Sequence, residues 1–140
     1  MNIVYTAEAL ATGAGRNGHV RSTDGLVDTD LAVPREMGGA GGAANPEVLF
    51  AAGYAACFHS ALQAVARQQK ATLGDSSVGA KVGIGSNDAG GYGLKVDLEV
   101  VIPDLPHEQA QELADMAHQV CPYSNATRGN IEVTVTVVDD

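Results

Sequence analysis

A long, apolar helix is predicted by residues 45–58, which read NPEVLFAAGYAACF. Asn45 is a residue type that caps helix N-termini, Pro46 is favoured at the first helical position, and Glu47 places a negative charge where the helix dipole stabilises it. The residues that follow are apolar on nearly every side over the first half of a helix that reaches about Gln69. A helix of this composition is expected to be buried in the centre of the molecule or against a partner.

The rest of the chain shows the patterns of strands and one further helix. Asp24-Gly25 is a two-residue hairpin signal, and Pro106 precedes apolar residues at the spacing of an amphipathic helix. The predicted strands are residues 3–9, 19–33, 77–86, 92–102 and 131–138, and the second helix is residues 107–121. This order predicts an α+β fold in which mainly antiparallel sheets are wrapped around one or two central helices.

The composition indicates one compact, acidic domain. A length of 140 residues favours a single domain over residues 1–140, and an apolar content of 45% excludes a disordered chain. Eight Lys and Arg against 17 Asp and Glu give a formal net charge of −9. Because nucleic acids and anionic membranes are bound through Lys and Arg, neither is expected as a partner. The sequence shows no signal peptide or transmembrane run, so a cytoplasmic location is expected.

Two cysteines, Cys57 and Cys121, are the candidate reactive groups. A permanent disulfide is not expected in a reducing compartment, and two widely spaced thiols without clustered histidines do not resemble a zinc site. Both lie on the apolar faces of their helices, and close packing of those helices would bring them within disulfide reach. Cys121 comes just before Pro122, which stops a helix, so its sulfur is expected at a boundary. An inert core thiol at Cys57 remains the alternative to a reactive pair.

A reactive thiolate at Cys57 needs a cationic neighbour, because burial raises the pKa of a thiol. Arg16 is the candidate, since glycines on both sides in the loop of residues 12–18 can present its side chain. Glu47 is suited to hold the guanidinium in a bidentate pair. On one straight helix Glu47 and Cys57 lie about 15 Å apart along the axis. Either the helix is broken near Gly53, or Glu47 serves Cys57 of a second subunit, which we favour. A solvated turn arginine and a simple helix-terminal charge are the alternative interpretations.

Other chemistries have less support in the sequence. Residues 39–44 read GAGGAA and match the dinucleotide pattern GxGxxA, but no apolar strand leads directly into them. The four histidines lack metal-ligand spacing. We therefore expect neither a metal nor an organic cofactor.

Residues 120–131 read VCPYSNATRGNI, and together with residues 45–58 they closely resemble the organic hydroperoxide resistance (Ohr) branch of the Ohr/OsmC family. The segments PREMGG at residues 34–39 and GRNG at residues 15–18 also resemble this branch. The similarity covers nearly the whole chain. The segment that follows the second cysteine distinguishes the Ohr branch from the OsmC branch.

The resemblance implies a role for each candidate residue. Cys57 matches the peroxidatic cysteine of the family and Cys121 the resolving one, while Arg16 matches the arginine that activates the thiolate and Glu47 its acidic partner. Members of the family form intertwined homodimers with sites at the interface. They reduce organic hydroperoxides, including those of fatty acids, and are themselves reduced by lipoylated proteins or by small dithiols such as dihydrolipoamide.

Substrate preference and two other functions remain as hypotheses. An apolar lining of Met37, Phe50 and Tyr123 would explain a preference for alkyl hydroperoxides, although all three could equally be ordinary core residues. A redox sensor would use the same disulfide to change a binding surface. A ligand-binding dimer would carry its thiols without using them.

Overall fold

The computed structural model describes residues 1–139, which form two compact units, Met1–Leu49 and the chain from Phe50 onward. The first unit contains an antiparallel sheet of three strands in the order β1-β2-β3. Its strands are β1 (Ala9–Thr12), β2 (His19–Ser22) and β3 (Asp28–Asp30). A short 3₁₀ turn lies between β1 and β2 at Gly15–Asn17, and another follows β3 at Arg35–Met37. The prediction of a single domain over residues 1–140 stays a prediction.

The first unit corrects two details of the sequence analysis. The predicted strand at residues 3–9 is wrong in position, because the ladder with β2 runs from Ala9 opposite Ser22 to Thr12 opposite His19. The predicted hairpin is confirmed, but its connection between Ser22 and Asp28 is longer than the two-residue turn of Asp24-Gly25.

Helix α1 (Pro46–Gln68) agrees closely with its prediction. The side-chain oxygen of Asn45 accepts a hydrogen bond from the backbone N–H of Val48 at 2.9 Å, which is the expected N-cap. The helix is continuous through Gly53, so the alternative of a break at that residue is wrong. A Cβ atom at position 53 would lie 3.0 Å from the hydroxyl of Tyr123, and glycine therefore permits this close approach.

The second unit combines a three-stranded sheet with the helices. Its elements are β4 (Ser77–Ser86), β5 (Tyr92–Val101), α2 (His107–Val120), α3 (Pro122–Thr127) and β6 (Glu132–Val137). Strands β4 and β5 form an antiparallel hairpin, whereas β6 pairs with β5 in parallel. The helical crossover between β5 and β6 explains the parallel pair, because a tight turn cannot connect parallel strands. The mixture of helices with mainly antiparallel sheets confirms the α+β class.

The apolar core of this unit is formed by α1, α2 and β5. Alternate residues of β5 point into it, as expected for a strand with one buried face. The buried face of α2 is made largely of small alanines. The fully buried core residues are Tyr54, Phe58, Leu62, Val96, Leu98, Val100, Ala110, Ala114, Ala117 and Cys121.

Helix α1 also meets, by length and composition alone, the requirements of a membrane span, with a mean hydropathy of 1.4. The core helix of a soluble protein has the same properties. Tyr54, Phe58 and Leu62 of α1 are fully buried in the protein's own core. The expectation that the chain does not enter a membrane stays a prediction.

Candidate active site

The thiols of Cys57 and Cys121 face each other in the second unit. Their sulfur atoms lie 3.4 Å apart, and both cysteines are free thiols. A disulfide bond is about 2.05 Å long, so the sulfurs are in contact without being bonded. The sequence prediction that two helices bring these distant residues together is confirmed.

Cys121 occupies the junction between α2 and α3. Its backbone N–H donates to the carbonyl of Ala117 at the end of α2, and its carbonyl accepts from the N–H of Asn125 in α3. Pro122 is therefore the first residue of a new short helix as well as a stop signal for the old one. The sequence analysis missed α3, because it considered only the second of these two effects of proline.

The two thiols differ in exposure, and Cys121 is more buried than the sequence analysis predicted. Cys121 was expected at a boundary, but it is fully buried, because α3 continues the chain directly and keeps this residue inside the core cluster. Cys57 packs at the edge of that cluster and is partly exposed. Cys57 is thus the thiol that an incoming molecule can reach.

The environment of Cys57 within its own unit favours the neutral thiol. Loss of hydration raises the pKa of Cys57 above its ordinary value, and the nearby Cys121 adds to this effect. A backbone N–H of Tyr123, directed at the sulfur, opposes the shift in the pKa but does not cancel it. A positive charge beside Cys57 would be needed to make it a good nucleophile at neutral pH.

A shallow groove of about 410 Å³ opens beside Cys57. The groove residues are Cys57, Ser60, Ala61, Ala64, Val120 and Pro122. The sequence analysis missed Ser60, Ala61 and Ala64. They follow Cys57 at the helical spacing i+3, i+4 and i+7, and this spacing was the signal that could have found them.

Two of the three predicted lining residues form an aromatic cluster. The rings of Phe50 and Tyr123 stack with centroids 5.9 Å apart, and the ring of Tyr54 meets both edge-on. Neither Phe50 nor Tyr123 lines the groove beside Cys57. Met37 lies in the first unit, in the turn Arg35–Met37, and is 41% exposed. A substrate-binding role for these residues stays a prediction.

Arg16 and Glu47 form a bidentate ion pair in the first unit. The two guanidinium nitrogens Nη1 and Nη2 donate to Oε2 and Oε1 at 2.8 and 2.7 Å. These hydrogen bonds lower the pKa of Glu47 below its ordinary value, against the opposing effect of burial. Gly13 and Gly15 have positive φ angles of 79° and 61°, which favour glycine and shape the loop that carries Arg16. The bidentate pairing suggested by the sequence is present, and its action on Cys57 stays a prediction.

Two free thiols in contact at the junction of three helices define a dithiol protein of the α+β class. Residues 39–136 match the family model described as OsmC-like protein. The organic hydroperoxide resistance protein of Xanthomonas axonopodis pv. citri is 55% identical over 137 residues, covering 96% of this chain and 95% of that protein. OhrB of Bacillus subtilis is 45% identical over 131 residues, covering 93% and 95%.

A solved structure gives the same result for the fold. The crystal structure of an organic hydroperoxide resistance protein from Elizabethkingia anophelis is 54% identical, covers the whole of both chains and has a TM-score of 0.94. The chain belongs to the OsmC-like family, in its organic hydroperoxide resistance branch, as the sequence resemblance predicted.

The difference in exposure predicts the order in which the two thiols are alkylated. When the reduced protein is treated with iodoacetamide at alkaline pH, we expect Cys57 to react well before Cys121, because only Cys57 is accessible. Peptide mass spectrometry at successive times measures the extent of alkylation at each cysteine. In guanidinium chloride the two should react at similar rates, and faster modification of Cys121 in the folded protein would contradict the assignment.

The Arg16–Glu47 pair predicts a pH dependence of stability. Because the pKa of Glu47 is lowered on folding, the carboxylate stabilises the folded state fully above the ordinary glutamate value of 4.5, and this contribution is lost as the pH falls through the lowered value. We expect the difference in free energy of unfolding between wild type and Glu47→Gln to be largest near neutral pH and to shrink in acid. Urea denaturation at several pH values measures it. In an Arg16→Gln background, the same substitution should change the pH dependence much less.

Proposed function

We propose that this protein is a thiol-dependent peroxidase that reduces organic hydroperoxides to alcohols in the cytoplasm, as part of the defence against oxidative stress. The observation that carries the proposal is the 3.4 Å contact between an accessible and a buried thiol. The names of the similar proteins, which are organic hydroperoxide resistance proteins, support the same class of substrate.

The proposed reaction begins at Cys57. Its thiolate attacks one oxygen of the hydroperoxide, the O–O bond breaks, and the alcohol leaves after taking up a proton, so that Cys57 becomes a sulfenic acid. The thiol of Cys121 then attacks the sulfur of Cys57, forming a disulfide and releasing water. A dithiol such as dihydrolipoamide, free or on a lipoylated protein, reduces the disulfide through a mixed disulfide and returns both cysteines to thiols. The cycle needs no cofactor, because the electrons come from the dithiol.

The division of roles follows from exposure. Cys57 borders the groove that an alkyl hydroperoxide can enter, and the groove walls of Ala61, Ala64 and Val120 suit an apolar chain. Met37, Phe50 and Tyr123 are proposed to extend this apolar lining. Cys121 has no exposed surface, so it is suited to react with a neighbouring sulfenic acid and unsuited to meet a peroxide first.

Arg16 is proposed to activate Cys57. Because the pKa of this thiol is raised within its own unit, the thiolate needs a positive charge from elsewhere. A guanidinium held by Glu47 in a fixed plane can stabilise the thiolate and orient the peroxide oxygens. We propose that the complete site forms in an intertwined homodimer, and the exposed apolar side chains of α1, such as Val48, are consistent with a partner surface.

Variants of the two cysteines test the assigned roles. With cumene hydroperoxide and dihydrolipoamide, Cys57→Ser should lose turnover, because it removes the nucleophile. Cys121→Ser should reduce about one equivalent of peroxide and then stop as a sulfenic acid, which dimedone traps for mass spectrometry. Undiminished turnover of Cys57→Ser would rule out the mechanism. Multiple turnover by the wild type with dihydrolipoamide indicates a peroxidase. A redox sensor would be oxidised once and would not turn over repeatedly.

Substitution of Arg16 tests the source of the thiolate. In a Cys121→Ser background, Arg16→Met should raise the pKa of Cys57 and slow the reaction with peroxide by at least ~10-fold, since each unit of pKa removes about nine-tenths of the thiolate. Arg16→Lys should give a pKa and a reaction rate between those of the Cys121→Ser parent and Arg16→Met, because it keeps the charge and loses the bidentate pair. Ultraviolet thiolate absorbance measures the titration. Arg35→Met removes another arginine of the same unit and should leave the pKa of Cys57 unchanged.

A further inference from the structure

A chain of hydrogen-bonded polar side chains, three of them buried, links the helices that carry the two thiols. The hydroxyl of Tyr54 lies 2.9 Å from the hydroxyl of Ser124 and 3.0 Å from that of Thr127. The ring nitrogen Nδ1 of His118 lies 2.7 Å from the same Ser124 hydroxyl. Tyr54 and Ser124 are fully buried. Buried hydroxyls are costly unless they are hydrogen-bonded, so this arrangement strongly favours one geometry.

One consistent set of donors and acceptors satisfies all the hydrogen bonds of the chain. Thr127 donates its proton to the carbonyl of Ser124 at 3.2 Å, so its oxygen is free to accept from Tyr54. With Thr127 as that donor, Tyr54 can accept from Ser124, and Ser124 can accept from Nδ1–H of His118. Burial lowers the pKa of His118, with Arg128 adding to the effect, and this favours the neutral ring.

This chain connects the three helices that hold the thiols. Tyr54 lies on α1, less than one turn before Cys57. His118 lies in the last turn of α2, and Ser124 and Thr127 lie on α3, so the groups on both sides of Cys121 are tied to α1. The backbone of Tyr123, on the same helix α3, lowers the pKa of Cys57. A change in the position of α3 relative to α1 therefore changes the distance between the two sulfurs.

We propose that Tyr54, Ser124, Thr127 and His118 are positioning residues that hold Cys121 against Cys57, so that disulfide formation outruns a second oxidation. This inference rests on the proposed peroxidase function. A sulfenic acid at Cys57 has two routes: the thiol of Cys121 converts it to a disulfide and water, or a second hydroperoxide converts it to a sulfinic acid and an alcohol. The first route depends on the sulfur–sulfur distance, and the second does not.

Tyr54→Phe tests the positioning role, because it removes one hydroxyl and keeps the ring that packs against Phe50 and Tyr123. With excess cumene hydroperoxide, we expect the ratio of sulfinic acid to disulfide at Cys57 to rise roughly 3- to 10-fold, the factor that corresponds to one lost hydrogen bond. Mass spectrometry of the peptides measures the ratio. The equilibrium constant for forming the disulfide from oxidised glutathione should fall by a similar factor, and this measurement involves no peroxide.

Three further variants separate positioning from general loss of stability. Thr127→Val removes another hydroxyl of the chain and should also raise the ratio of sulfinic acid to disulfide. It provides an independent test in case Tyr54→Phe does not fold. Val100→Ala weakens the core on β5 without removing a hydrogen bond of the polar chain, and Tyr92→Phe removes an exposed hydroxyl, so both should keep the wild-type ratio.

The outcomes distinguish this inference from the proposed function. A wild-type ratio in folded Tyr54→Phe and Thr127→Val would overturn the positioning role, as would an equal rise in Val100→Ala. A wild type that forms no disulfide with peroxide would overturn the proposed function. In that case, a lower glutathione equilibrium constant in Tyr54→Phe would still support positioning of the two thiols.

Discussion

Packing of α1 against the α2–α3 junction is the interaction on which the contact between the sulfurs of Cys57 and Cys121 depends. The two residues are far apart in sequence, and local preferences cannot bring them together. Packing of α1 against the α2–α3 junction does so, and that packing is fixed by apolar burial on both helices together with the hydroxyl chain from Tyr54 to Thr127. The chemistry of the site is therefore a product of the core.

The different surroundings of the two thiols suit them to different reactions. Cys57 borders a groove and receives a backbone N–H from Tyr123, whereas Cys121 is enclosed by the protein. The same kind of side chain thus occupies two environments, which differ in exposure and in the polar groups nearby. The cost of this arrangement is that partial burial raises the pKa of Cys57, and the proposed part of Arg16 is to reverse that shift.

Much of this arrangement could be predicted from the sequence, where strong local signals agree with the tertiary structure. The cap at Asn45, the alternation in β5 and the face of α2 led to elements within one or two residues of those observed. Short elements were harder to predict from the sequence. Helix α3 begins at a proline that was interpreted only as a terminator, and β1 lies where β2 offers partners, which no local pattern reveals. The burial of Cys121 was missed for the same reason, since it depends on α3.

Gly53 places a constraint on how the sequence of this family can vary. Its missing side chain leaves the space that the Tyr123 ring occupies, and the backbone of Tyr123 serves Cys57. Positions 53 and 123 are therefore sterically linked although they lie on different helices. An alanine at position 53 would therefore require the Tyr123 ring to shift by a few tenths of an ångström, and such a shift would reach α3, the helix that begins beside Cys121.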